Sequence, residues 1–449
     1  MGSSSDKAVS APGGKLLRGW IVGCAVAACL LVTTQLLEMP WRSALRGYDN
    51  TFNYLWLRSA MVDGDWDFRN DLAACNTLEP EFRASALALA PTPAGRIPNK
   101  YGTGWAVLTL PFYLVADGIT AAGRALGWWT WPRDGFNPVY QTCIQIGHVA
   151  LALLALWLAA KAIAAWLGDR TWVPLAVLAV WAASPLLYYQ TANIGMAHGA
   201  AFFAVALCAY ALVRARDGAR WWWLLAGAGW GLAVTTRFQL GVFGLLAAWY
   251  WWDQLRQGGR IAGPVGWFAA GAAPLLALQL WAWHVVYGRW LVFSYGGEGE
   301  SFHWTRPELF NALCSPWHGL FYWHPLLLVA ALGLLAWAWR ARGLAAVWVA
   351  VLGLTLYINA AWWCWWFASA FGGRAWDAAL LALMAGFAWL LQRAGRRGRA
   401  FLLVLAGIAA LWNFYLITLY RTAAIPRNEP VTWGQMIEAA GKLGDAAHF

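Results

Sequence analysis

The sequence predicts an all-α membrane protein that crosses the bilayer many times. Of its 449 residues, 61% are hydrophobic and only 12% are charged, whereas a soluble domain is typically about 45–50% apolar and about 25% charged. The apolar residues also gather in runs of roughly 20, the length that a transmembrane helix needs. The composition therefore excludes a soluble globule, a disordered chain and a small disulfide-bonded scaffold.

We expect about eleven transmembrane helices. The first is the run Leu16–Leu37, which follows a polar, basic segment and has no cleavage site after it, so it is interpreted as a retained helix. The other candidate runs are 139–166, 171–190, 198–214, 221–236, 238–252, 262–287, 319–339, 344–361, 376–392 and 400–420. The runs 221–236 and 238–252 are short and meet at Arg237, which predicts a tight hairpin near one membrane face.

One further apolar stretch, Gly104–Gly123, decides the orientation. Pro111 and Asp117 within it favour a helix lying in the interface over a span. With that placement the inner segments hold half of the 32 Lys and Arg residues but only four of the 21 Asp and Glu residues. Because inner loops carry the excess of basic residues, the N-terminus is predicted inside and the C-terminus outside. The formal net charge of +11 is thus a topology signal, and the dispersed basic residues form no nucleic-acid motif.

The predicted organisation is an inner tail (1–15), a membrane module (16–420) and a short outer tail with one helix (421–449). The largest outer segments are the loops 38–138 and 288–318, whereas the inner loops are short and basic. Apolar residues at helical spacing over Tyr48–Met61 predict an amphipathic helix on the membrane surface in the first outer loop. This layout is typical of a protein that works on its outer face.

An acid and three cations are predicted near that outer face: Asp49, Lys100, Arg237 and Arg374. An arginine at the bilayer centre costs roughly 2.5–3.5 kcal/mol, so it usually has an anionic partner; Asp377, one turn after Arg374, is a candidate. Guanidinium and ammonium groups suit a lipid phosphate. A lone carboxylate beside a phosphate site suits a general base that activates an acceptor hydroxyl.

Several further residues are candidates for supporting roles. His198 lies where an outer turn enters a predicted span, and His318 lies in the segment 288–324, whose acids and histidines are too irregularly spaced for a metal motif. The sequence has no CxxC or HExxH pattern, so no metal site is predicted. The remaining supporting candidates are Tyr48, Asn50 and Arg58.

These motifs resemble the GT-C superfamily of polyprenyl-phosphate-sugar-dependent glycosyltransferases, in particular the bacterial aminoarabinose transferase and protein O-mannosyltransferase branch. Asp49 matches the family's first acid, and Arg58 and Gly64-Asp65-Trp66 match later positions of the same stretch. Asn50 stands at the family's second acid position, and His198 stands where several relatives carry an aspartate. The segments Ser315–Tyr322 and Phe371–Arg374 resemble motifs of uncharacterised bacterial members.

The resemblance implies a role for each cation. Lys100, in NKYGTGW, would meet the donor phosphate, although the family's neighbouring prolines are absent. Arg237 matches the basic residue of a T-R/K motif, and Arg374 would be a second phosphate ligand. Asn50 argues against a divalent metal held by paired carboxylates and leaves Asp49 as the single base.

The sequence therefore predicts an inverting glycosyltransferase of a bacterial inner membrane. It would move a sugar from a polyprenyl phosphate (undecaprenyl or decaprenyl) to a glycan, lipid or protein acceptor on the outer side. Two alternatives stay open. A transporter or flippase for a lipid-linked sugar would use the same cations without a base, and its mark would be an internal repeat or paired broken helices. A non-catalytic subunit of an envelope assembly would leave the isolated charges unexplained.

Overall fold

The computed structural model describes residues 45, 47–75, 78–216, 218–296 and 299–443. The predicted first span, Leu16–Leu37, lies outside these residues. The described part of the chain is helical and contains no strand, and two extended segments meet there in one isolated antiparallel bridge between Phe302 and Trp362. The predicted all-α membrane fold is thereby confirmed.

The longest connections between the helical elements, 3₁₀ turns included, are 88–103 and 288–308. In chain order the helices are α1 (Tyr48–Arg58), α2 (Phe68–Ala74), α3 (Pro80–Leu87), α4 (Gly104–Ala125), α5 (Pro138–Leu167), α6 (Val173–Ala182), α7 (Leu186–Thr191), α8 (His198–Ala215), α9 (Trp221–Thr236), α10 (Gly244–Arg256), α11 (Ala262–Tyr287), α12 (Leu309–Cys314), α13 (Leu320–Trp323), α14 (Leu326–Ala341), α15 (Leu344–Ala361), α16 (Leu380–Arg393), α17 (Arg396–Arg421) and α18 (Trp433–Glu438). A π-helical turn, Ser59–Asp63, continues α1, and 3₁₀ turns precede α10 and α16 at Phe238–Phe243 and Arg374–Ala379.

Seven of the described helices are long and apolar enough to cross a membrane. They are α4, α5, α8, α11, α15, α17 and the continuous pair formed by the turn Arg374–Ala379 with α16. The predicted run 171–190 is broken instead, because α6 and α7 meet at a bend of 81° after Ser184 and Pro185. The count of eleven spans and the orientation stay predictions.

Helix α4 corresponds to the stretch that was predicted to lie in the interface. It runs unbroken through Pro111 and meets the same criteria of length and hydropathy as the spans. Asp117 is paired with Arg133 and accepts a hydrogen bond from the Tyr140 hydroxyl at 2.6 Å. The interfacial placement of this helix therefore stays a prediction.

Helix α1 differs from the predicted amphipathic surface helix in its burial. Every residue from Asn50 to Arg58 is buried, polar ones included, and the helix packs against α4. Asn99 donates to the Phe52 carbonyl at 2.8 Å, and Trp56 donates to the Tyr101 carbonyl at 3.0 Å. The helix is thus held inside the protein, where it fixes the position of Asp49 in its first turn.

Helices α9 and α11 pack through glycines. A Cβ atom at Gly227 would lie 1.9 Å from the Phe268 carbonyl oxygen, and one at Gly271 would lie 1.9 Å from the Leu224 carbonyl oxygen. Small residues let helix backbones approach closely in membranes. The hairpin predicted at Arg237 is present: the Trp230 indole donates to the Gly241 carbonyl at 3.2 Å. Arg237 therefore lies at the turn of a tightly packed helical unit.

The segment that carries Lys100 packs directly onto this turn. A Cβ atom at Gly102 would lie 1.8 Å from the Thr235 carbonyl oxygen, and one at Gly104 would lie 2.5 Å from the Thr236 hydroxyl oxygen. The Gln279 side chain of α11 accepts from the Thr103 amide at 2.8 Å. Two motifs far apart in sequence, NKYGTGW and TTRFQ, are thereby in backbone contact.

The substitution Gly227→Ala should destabilise the protein by about 1–3 kcal/mol, since overpacking a tight contact forces backbones apart. We expect a lower midpoint in a thermal unfolding assay of the detergent-purified protein. Gly266→Ala in α11 is the matched control, because no atom lies within 4 Å of the Cβ it would add. Equal midpoints for the two variants would contradict the glycine-mediated contact.

Candidate functional site

Asp49 and Arg374, predicted from distant parts of the sequence, face each other. The Asp49 Oδ1 atom accepts a hydrogen bond from the Tyr101 hydroxyl, and its Oδ2 atom lies 3.5 Å from Nη2 of Arg374. The Asp49 side chain is 30% exposed, so it can be reached from outside, whereas that of Arg374 is 15% exposed. The Arg374 guanidinium also lies 5.9 Å from the ring centroid of Phe367.

Arg237 is held by neutral groups. Its Nη1 atom lies 2.7 Å from Nδ1 of His198, and because a guanidinium only donates, that histidine nitrogen is the acceptor. With its amide oxygen turned toward Arg237, Gln239 accepts from Nη2 at 2.8 Å and from Nε at 3.1 Å. Across the described ranges no carboxylate forms an ion pair with Arg237.

Asp377 does not form the pair with Arg374 that the sequence suggested, because Arg374 points toward Asp49 instead. Its side chain is fully buried at the start of the span that ends at Arg393. Its Oδ2 atom lies 3.4 Å from Nδ1 of His198, and neither carboxylate oxygen has a hydrogen-bond partner within the described chain. Both Arg237 and Arg374 act on it electrostatically. A buried carboxyl group therefore lies behind the two arginines.

Lys100 is paired with an acid from the second large outer loop. Its Nζ atom lies 2.5 Å from Oε1 of Glu300, and it also lies 5.8 Å from the ring centroid of Tyr295. The pair borders an open cleft that four aromatic side chains help to line. The lining residues are Tyr48, Phe52, Leu89, Pro98, Lys100, Tyr101, Tyr287, Ser294 and Glu300. Lys100 therefore has an anionic partner, unlike Arg237.

Tyr295 interacts with all three cations. The sequence did not single it out. Lys100 approaches its ring, and the charges of Arg237 and Arg374 act on its hydroxyl. Burial raises the pKa of Tyr295, and the negative charges of Asp49 and Glu300 add to the rise, so its hydroxyl stays protonated. Its place in the loop before Glu300 was the only signal in the sequence, and that signal was too weak to single it out.

Two of the predicted supporting residues, Asn50 and His318, lie at the edge of the site. Asn50 donates to the Asn193 side chain at 2.7 Å and so ties α1 to the turn before α8. His318 approaches the Trp366 carbonyl oxygen through Nδ1 at 2.9 Å, and burial lowers its pKa to about 4, which keeps it neutral at pH 7. The glycines of the Phe371–Arg374 motif pack on the same region, since a Cβ atom at Gly372 would lie 2.2 Å from Nε2 of His324.

Arg58, by contrast, lies in a separate ion-pair network within the first outer loop. Its Nη1 atom lies 2.7 Å from Oδ1 of Asp71 and 2.5 Å from Oδ2 of Asp63, and its Nε atom donates to the Asp134 carbonyl at 3.0 Å. Arg58 and Asp71 are both buried. The structure thus gives Arg58 a role in stability rather than a place beside Asp49.

A metal site requires several donor side chains that converge on one point. Within the described ranges, no group of three or more His, Cys, Asp or Glu side chains is arranged to hold a metal ion. Lys100 is instead paired with Glu300 and Arg374 with Asp49, whereas neutral groups hold Arg237. Such an arrangement is suited to binding an anion and to accepting a proton close to it.

The Arg58–Asp71 pair should give the protein a distinct pH dependence. Burial raises the pKa of Asp71 from 3.8 to about 6 despite the opposing effect of Arg58. A raised pKa means that the folded state favours the protonated acid. Asp71 therefore contributes fully to the free energy of unfolding below about pH 4, and this contribution is lost as the pH rises through about 6. Relative to Asp71→Asn, the wild-type free energy of unfolding should fall by about 2–3 kcal/mol between pH 4 and pH 7. Denaturant titrations in detergent measure this difference, and the exposed Asp65→Asn serves as control; a constant difference across this range would contradict the assignment.

Comparison with known proteins gives a partial similarity to a solved structure. No family model matches the sequence, and no curated protein matches it. Among solved structures, the chain is similar to the crystal structure of ArnT from Cupriavidus metallidurans bound to undecaprenyl phosphate. The two share 15% sequence identity with a TM-score of 0.48, over 96% of this chain and 73% of that chain. At this level the similarity assigns neither residues nor substrates.

Proposed function

We propose that this protein is a membrane glycosyltransferase that moves a sugar from a polyprenyl phosphate to an acceptor, with inversion at the sugar carbon. The observation that carries the proposal is the meeting of Asp49, Arg237 and Arg374 at one place, reached from three separate parts of the chain. A general base and a phosphate site are the two parts that this transfer requires. The proposed location is the inner membrane of a bacterium, with the site on the outer side.

The donor phosphate is proposed to bind Arg237 and Arg374. Arg237 has only neutral hydrogen-bond partners, so an anionic ligand would compensate its charge in a site of low dielectric constant. Arg374 reaches Asp49 through a single contact of 3.5 Å, which is longer than a charge-assisted hydrogen bond. A phosphate can replace that contact with a bidentate one and leave Asp49 free on one side.

Asp49 is proposed to act as the base. The acceptor hydroxyl oxygen attacks the sugar carbon, the bond from that carbon to the phosphate oxygen breaks, and the acceptor proton passes to Asp49. The leaving lipid phosphate keeps the electron pair, and Arg237 and Arg374 stabilise its developing charge. The partial exposure of Asp49 is consistent with direct access by an acceptor. No step in this scheme requires a bound metal.

Lys100 is proposed as a third phosphate ligand. It is now paired with Glu300, so it would have to exchange that carboxylate for the phosphate. Tyr295 lies between this pair and the two arginines and could bind the same group through its protonated hydroxyl. The charge of Lys100 is then compensated by Glu300 before the donor binds and by the phosphate afterwards.

The two alternatives explain less of the structure. A carrier for a lipid-linked sugar would need the cations but not Asp49 held by Tyr101. It would also be expected to carry paired broken helices, whereas the described residues contain one bent pair, α6 with α7. A non-catalytic assembly subunit leaves the positive charge of Arg237, which neutral groups hold, without a purpose.

Asp49→Asn should lower turnover by at least about 100-fold, since it removes the proton acceptor. Donor binding should be preserved or tightened, because Arg374 loses the carboxylate that competes with the phosphate. The assay follows a radiolabelled undecaprenyl-phosphate sugar with the purified protein and an extract of envelope glycans and lipids as acceptor. The control is Asp117→Asn in α4, which breaks the ion pair between Asp117 and Arg133 and should retain turnover. Wild-type turnover by Asp49→Asn would overturn the mechanism.

Glu300→Gln should tighten the binding of undecaprenyl phosphate about 2- to 5-fold, because a half-exposed ion pair of modest strength no longer competes for Lys100. Lys100→Gln should weaken it by at least about 10-fold, as expected for the loss of a charge-assisted contact. Binding is measured by native mass spectrometry of the protein in nanodiscs. Asp253→Asn, whose partner is Arg216, is the control for removing an acid elsewhere. Weaker binding by Glu300→Gln would show that Lys100 does not exchange partners.

A further inference from the structure

Tyr101 lies between the aromatic cleft and Asp49, and the proposed function does not use it. It lines the cleft with its ring, while its hydroxyl donates to the Asp49 Oδ1 atom. Burial raises the pKa of Tyr101 well above its usual value, and the Asp49 charge raises it further, so the hydroxyl remains a donor at physiological pH. A protonated donor aimed at a carboxylate orients that carboxylate and stabilises its charged form.

The position of Tyr101 is fixed from several directions. Its amide donates to the Asn99 side chain at 3.1 Å, and its carbonyl accepts from the Trp56 indole. Its ring packs against Phe52 of α1 and Tyr295 of the outer loop, with ring centroids 6.4 and 6.5 Å away. The following residue, Gly102, is in backbone contact with Thr235. Neighbouring groups therefore determine where the hydroxyl points.

The two oxygens of Asp49 are held by different groups. Tyr101 holds Oδ1, and Arg374 faces Oδ2 at 3.5 Å. If Arg374 turns to a donor phosphate, the contact at Oδ2 is lost, and among the described side chains only Tyr101 keeps the carboxylate in place. Arg374 also acts on Tyr101, and the Lys100 Nζ atom lies 5.9 Å from the ring centroid of Tyr101. The other titratable or charged groups that act on Tyr101 and Asp49 are Tyr48, Tyr295 and Arg237.

We propose that Tyr101 is the positioning residue for Asp49: it holds Oδ1 so that Oδ2 remains directed at the incoming acceptor when the donor has bound. This inference rests on the proposed function only in naming the acceptor. The link between Tyr101 and Asp49 is a property of the protein without substrate. Tyr101 itself neither bonds to the reacting atoms nor takes the proton.

The test is Tyr101→Phe in the full-length protein, which keeps the ring packing and removes the hydroxyl. We expect kcat for sugar transfer to fall about 10- to 100-fold with the donor KM unchanged, since one hydrogen bond to a charged group is lost. Tyr415→Phe is the control: it removes a hydroxyl that donates to the Met436 carbonyl at 2.5 Å, away from the site.

A second readout does not depend on sugar transfer. Dicyclohexylcarbodiimide modifies protonated carboxyl groups in membrane proteins, and peptide mass spectrometry reports its addition to Asp49. We expect Asp49 to be labelled several-fold faster in Tyr101→Phe than in the wild type or in Tyr415→Phe, because the Tyr101 hydroxyl no longer holds Oδ1. A wild-type labelling rate would overturn the proposal even if the donor assignment holds. Faster labelling would support it even if Asp49→Asn kept turnover and the base had to be assigned elsewhere.

Discussion

The site depends on one backbone contact in which no side chain takes part. Gly102 lies so close to the Thr235 carbonyl that any Cβ atom would collide with it. This contact places Lys100 and Tyr101 on one side and Arg237 on the other, each within two residues of the same point. Because α1 is in turn bonded to the carbonyl of Tyr101, Asp49 is positioned from that point as well. A peptide contact thus assembles charges that lie almost 190 positions apart in the sequence.

Burial then determines how the charges are arranged. A charge in a medium of low dielectric constant is costly unless a partner or hydrogen bonds compensate it. Lys100 and Arg374 meet this requirement with the carboxylates of Glu300 and Asp49. Arg237 meets it with a histidine nitrogen and an amide oxygen, which leave its positive charge uncancelled. The arrangement is stable when empty and remains suited to an anion.

The sequence predicted the helical fold and the main charged residues, but not their pairing. The bounds of α11 and α15 agree with the runs 262–287 and 344–361 because long uninterrupted apolar segments define a span almost by themselves. The bend after α6 was missed, since Ser184 and Pro185 are only two residues within an otherwise apolar run. Arg374 was assigned to Asp377 on helical spacing, yet its tertiary contact is with Asp49. The sequence singled out neither Tyr101 nor Tyr295, because the value of a tyrosine hydroxyl depends on what folds against it.

The glycine contacts between α9 and α11 also determine which parts of the site can move. Two helices in backbone contact tilt together, so Arg237 belongs to a stiff unit. Glu300 and Tyr295 belong to a loop that is fastened at its far end to the end of α15, through hydrogen bonds from the His303 and Glu308 amides to the Ala361 and Ala360 carbonyls at 2.6 and 2.8 Å. Arg237 therefore moves only together with the α9–α11 unit, whereas the described part of this loop is anchored to α15. A change in the spacing between these helices would alter the separation of Arg237 and Glu300.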